Sequence, residues 1–93
     1  MQVSLEMSLN REDFLRLLPG AVGGVEVAEA DGVFRGAECG LRWTIRLRPL
    51  PDRRLGSVVL PCQAVEISLE GHTEVEAEAF MARFHRGFQR GGG

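Results

Sequence analysis

The chain has 93 residues, which suits one domain and is too short for two. Hydrophobic residues make up 44% and charged residues 26%, a balance that excludes a disordered chain. The net charge of −2 excludes a global pull toward nucleic acid or anionic membrane, and no apolar run approaches the ~20 residues needed to span a bilayer. Every basic side chain other than histidine is arginine, and the arginines are spread along the whole chain. The N-terminal "MQVSLEMSLNRED" has neither a basic region nor an apolar run, so no signal peptide is expected. With Cys39 and Cys62 alone, no disulfide framework is expected and a reduced, cytoplasmic setting is.

The first element alternates. Val3, Leu5, Met7 and Leu9 point one way and Ser4, Glu6 and Ser8 the other, which predicts a strand with one wet face. Asn10, with Asp13 three residues on, predicts a helix N-cap and an acid in the first turn. Phe14, Leu15, Leu17 and Leu18 supply the apolar side of a short helix, which Pro19-Gly20 is expected to end. "VEVAEADGVFRGAE" predicts a β-hairpin turning at Asp31-Gly32, a two-residue type I′ turn that pairs Ala30 with Val33. In "LRWTIRLRPLP", Leu41, Trp43, Ile45 and Leu47 face one side and Arg42, Thr44, Arg46 and Arg48 the other. Pro49 and Pro51 are expected to close this strand and "LPDRRLG" to be loop. A further strand sets Val65, Ile67 and Leu69 against Glu66, Ser68 and Glu70, with a bend near Pro61. The last helix opens on a capping box, Thr73 with Glu76. Its acids lie early and its arginines late, as the helix dipole favours, and Ala77, Phe80, Met81, Phe84 and Phe88 form one apolar stripe.

These elements predict a single α+β domain over residues 1–90, of order β-α-β4-α, with two helices covering one face of an antiparallel sheet. Residues 91–93 are a glycine tail. The order is similar to the TATA-binding-protein-like and helix-grip folds. By that resemblance, one relative binds DNA on its open sheet face and another holds apolar ligands between sheet and helix. Element order alone does not choose between them.

Two constellations invite a functional reading. Arg42, Arg46, Arg48, Arg53 and Arg54 cluster as candidates for anion or nucleic-acid binding. Parity opposes that reading. Matching the apolar faces of the two long strands sets even residues against even, so Arg42 and Arg46 meet Glu66 and Glu70. The loop pair Arg53-Arg54 is the part expected to stay un-neutralised. No aromatic interleaves with these arginines on the wet face, which argues further against single-strand binding. The second constellation, Trp43, Phe80, Phe84 and Phe88, is the candidate lining for a ligand or interaction site, although in a chain this small the same residues serve as core.

The remaining patterns point away from chemistry. Cys39, Cys62, His72 and His85 lack the close ligand pairs of a zinc site, so no metal and no cofactor are expected. Ser57 lies outside any nucleophile-elbow pattern, and no phosphate-binding loop or metalloprotease motif occurs. The C-terminal glycines resemble the Gly-Gly end of ubiquitin-like carriers, which would make Gly92 and Gly93 the site of activation. The approach here is helical and the element order is not β-grasp, so Gly91 is expected to act as a helix stop. The chain is expected to be a non-enzymatic binding or interaction module for a protein partner or a small apolar ligand, and a homodimer fits such a module. A glycine carrier is the alternative and an arginine-mediated anion binder the third reading.

Overall fold

Strand β1, Gln2–Met7, keeps the alternation that its sequence carries, with every second residue half-buried. In this computed structural model, which describes residues 1–89, it lies at one edge of a five-stranded antiparallel sheet. The other strands are β2 (Ala28–Ala30), β3 (Val33–Glu38), β4 (Leu41–Leu55) and β5 (Val58–Glu70), and the spatial order is β1-β5-β4-β3-β2. Helices α1 (Arg11–Ala21) and α2 (Glu74–Gln89) complete the expected β-α-β4-α order. No helix among the described residues is long and apolar enough to cross a membrane.

The core occupies one face of the sheet. Trp43, Ile45 and Leu47 of β4 and Val65, Ile67 and Leu69 of β5 are buried there against Phe14 and Leu18 of α1 and Ala77, Phe80, Phe84 and Phe88 of α2. The parity expected of the two long strands is realised: Ile45 lies opposite Ile67, Arg42 opposite Glu70 and Arg46 opposite Glu66. At Gly36 a Cβ would meet the Trp43 indole, so the missing side chain is what lets the ring lie beneath β3. Gly87 has a matching role between the helices, because its Cβ would sit 2.5 Å from Ala21 Cα. It permits a close approach of α2 to α1, beyond the loosening of the last turns that its low helix propensity suggests.

Both helix starts are capped as expected. The Asp13 amide donates to Asn10 Oδ1 at 2.8 Å. In the α2 capping box the Thr73 amide donates to Glu76 Oε1 and the Glu76 amide to Thr73 Oγ1, at 2.8 and 3.2 Å. The Asp31-Gly32 turn has φ of +53° and +77°, as a type I′ turn requires, and pairs Ala30 with Val33. Cys39-Gly40 repeats the device between β3 and β4, with φ of +48° and +85°.

Two expected boundaries are corrected. Helix α1 does not end at Pro19-Gly20 but continues to Ala21. Pro19 stands in the last turn, where it removes one hydrogen bond, and buried Ala21 and Val22 hold the turn to the core. The stop comes at Gly23, φ +78°, where the Gly24 amide donates to the Pro19 carbonyl and the Gly23 amide to that of Gly20. That pairing is a Schellman motif.

The larger correction concerns "LPDRRLG", expected as loop, in which Leu50 to Leu55 belong to β4. β4 has 15 residues, roughly 50 Å at ~3.3 Å each, comparable to the 46 Å longest dimension of the molecule. Beyond Leu50 a β-bulge sets Pro51 and Asp52 against Pro61 alone, and pairing then resumes as Arg53 with Leu60, Arg54 with Val59 and Leu55 with Val58. The bulge absorbs both prolines, whose missing amides would interrupt a regular ladder. Gly56, φ +62°, and Ser57 close the hairpin in the manner of a type II′ turn. The outer part of β4 and β5 is therefore a two-stranded arm that neither helix covers.

Candidate functional site

An edge strand keeps half of its backbone hydrogen-bonding groups unpaired, and the pattern shows which half. The Met1 ammonium donates to the Leu69 carbonyl and the Leu69 amide to the Met1 carbonyl, so Met1 and Leu69 form a hydrogen-bonded pair. In an antiparallel ladder such pairs alternate. Val3, Leu5 and Met7 then bond to β5, and the amides and carbonyls of Gln2, Ser4 and Glu6 face the free edge.

Beside that edge lies a groove of about 500 Å³. One wall is the chain from Leu5 to Leu9; Leu17 of α1 and Phe88 of α2 add apolar surface opposite. Ser8, Asp13, His85 and Gln89 supply polar groups around it. Asp13 is turned toward Arg16 at 3.3 Å, and Glu6 lies 3.9 Å from Arg53. His85 stands edge-on to Phe84, so its ring is braced by the core while it borders the groove. The site joins an open backbone edge, an apolar floor and a few polar groups, which is what an extended segment needs.

Of the aromatic candidates, Phe88 alone lines this groove. Trp43, Phe80 and Phe84 are buried and packed on one another, with Trp43 to Phe80 and Phe80 to Phe84 centroid distances of 6.2 and 6.3 Å. Trp43 Nε1 is buried without a hydrogen-bond partner among the described residues. The arginines lie apart from the groove, on the outer sheet face and its arm. Arg42 pairs with Glu70 at 3.4 Å. Glu66 faces Arg46 across the ladder, yet its carboxylate reaches Arg48 at 3.5 Å, and Arg46 has no ion pair among the described residues. Arg53, expected in a loop, is a strand residue within reach of Glu6, whereas Arg54 has no such pair among the described residues. Gly91, expected to stop α2, and Gly92 and Gly93 lie outside the described residues.

A separate polar contact ties α2 to the end of β3. Arg83 donates to both oxygens of Glu38, at 3.2 and 2.6 Å. These bonds hold the Glu38 carboxyl below its usual range, against the opposing effect of burial. Cys39 and Cys62 are free, and no cluster of three or more potential metal ligands occurs among the described residues.

The groove residues Leu5, Met7, Leu9 and Leu17 carry a sequence signal only as apolar faces. Their half-exposure follows from the edge position of β1, which no local pattern announces. Comparison with known protein families, curated proteins and solved structures finds no match to this chain.

Proposed function

We propose that the protein is a non-enzymatic binding module that takes an extended segment of a partner protein as a sixth strand along β1. The observation that supports this reading is the free edge of Gln2, Ser4 and Glu6, which meets the groove at Glu6. Main-chain hydrogen bonds along such an edge supply affinity, and alternate side chains of the segment reach pockets below it. Here alternate residues would drop toward Leu5, Met7, Leu17 and Phe88, which selects an apolar residue at every second position. A small apolar ligand would fill the floor but leave the edge amides and carbonyls unused.

Ser4 makes the reading testable, because its amide faces the edge and not the β1–β5 ladder. Ser4→Pro removes one edge donor and leaves the ladder with β5 intact, while Ser4→Ala keeps the donor. Random peptides displayed against the full chain should yield binders with apolar residues at alternate positions. Their affinity should fall roughly tenfold or more with Ser4→Pro and hold with Ser4→Ala. If no peptide is selected, or if the proline variant binds equally well, the strand-addition reading is wrong.

A further inference from the structure

The outer face of the sheet, opposite the helices, is sorted by charge. On it β4 presents Arg42, Arg46 and Arg48, and the neighbouring strand β5 presents Glu66 and Glu70. Further out the same face changes character. Past the bulge, Leu55 and Val58 form a cross-strand pair on this side, and between them and the body of the sheet lie Leu60, opposite Arg53, and Leu50, opposite Cys62. Leu55 and Val58 are 58% and 51% exposed, which makes them two of the most exposed large apolar side chains among the described residues. A two-stranded ribbon is marginal by itself, so an arm with a bare apolar strip needs a cover that is always at hand.

We infer that two copies of this chain pair through these outer faces, about a two-fold axis that runs along the β4–β5 ladder. Such an axis lays β4 of one copy over β5 of the other. The arginine column of each chain then meets the glutamate column of its partner, and the interface repeats itself twice, as an isologous contact must. In the same superposition Leu55 meets Val58 and Leu50 meets Cys62 of the partner, while the Arg53 stem lies over Leu60 with its head turned to Glu6 at the rim. A two-fold across the strands would lay β4 on β4 and set arginine on arginine, which like-charge repulsion opposes. Arg46 is the residue that gains most. It has no ion pair within its own chain among the described residues, and the second copy supplies Glu66. Packed sheets cross at roughly 30°, so contact centres on the apolar arms and the charged columns form its rim. The pairing leaves the β1 edge open and is independent of segment binding there.

Sedimentation equilibrium of the full chain over a wide concentration range is the test. The wild type should show a monomer–dimer equilibrium that Leu55→Ser with Val58→Ser weakens roughly tenfold or more, while Val75→Ser, at an exposed apolar residue on the helix side, leaves it unchanged. Charge reversal checks the axis itself. Arg46→Glu and Glu66→Arg should each weaken the homodimer, and an equimolar mixture of the two should associate more tightly than either alone, because each variant then meets an opposite charge. A wild type that stays monomeric up to its solubility limit overturns the inference. So does a dimer that resists the arm substitutions, or a mixture that associates no better than its components.

Discussion

Replacing Gly87 by alanine asks whether the close approach of the helices is what holds their layer together. In an exposed helix interior this change stabilises by ~1 kcal/mol, because alanine is the better helix former. At this position the added Cβ would lie 2.5 Å from Ala21 Cα and 2.6 Å from Ala21 Cβ. Carbon atoms rest at about 3.5 Å or more, so the overlap is about 1 Å. A backbone atom cannot rotate aside, and the helices must separate. The Phe14–Phe88 stack, at 5.1 Å, bridges the same two helices and would loosen with them. Because the clash is with backbone, the overpacking cost belongs at the upper end of its range, ~2–3 kcal/mol, which leaves a net loss of about 1–2 kcal/mol after the propensity gain. For a domain of this size that lowers Tm by roughly 4–15 °C. Gly20→Ala is the matched control: it also lies in a helix, with no atom within 4 Å of its Cβ, and it should gain ~0.5–1 kcal/mol. Thermal and urea melts followed by circular dichroism read both. A Gly87→Ala protein as stable as the wild type would refute the argument.

Gly36→Ala should disturb the sole tryptophan, because its Cβ would come within 2.6 Å of Trp43 Cε2. A loss of ~1–3 kcal/mol with a red-shifted emission is expected, and an unshifted spectrum would contradict the packing. Glu38→Gln tests the contact with Arg83. The folded carboxyl titrates below its ordinary 4.5, so its contribution is complete above that pH and is lost as pH falls through the depressed value. The pair is partly exposed, so the variant should be about 1 kcal/mol less stable at neutral pH. The two proteins should converge under acid, and a difference that stays constant with pH would rule out the ionic origin.

Local patterns carried much of the architecture. Asn10, Thr73 with Glu76, and Asp31-Gly32 act within a few residues, and each behaves as its type and spacing predict. The shared parity of Trp43, Ile45, Val65 and Ile67 was enough to set arginines opposite glutamates, since a strand exposes its residues with a period of two. Pro19 misled because a missing amide is tolerable in a last turn held by buried neighbours. Pro51 misled because a bulge can house it, and a bulge is a property of two strands together.

The candidate site was less legible for the same reason. That β1 alternates is written in Val3, Leu5 and Met7, but that it pairs with β5 alone is a fact of sheet order. The roles of Gly36 and Gly87 lie in what passes beside them, a distant indole and a distant helix. By itself the sequence determined the element types, their order and the faces that must be buried, because propensity, capping and periodicity are short-range. Only the tertiary structure decided which strand keeps a free edge, which arginines lack an ion pair among the described residues and how far the arm runs, because those depend on segments that meet through space.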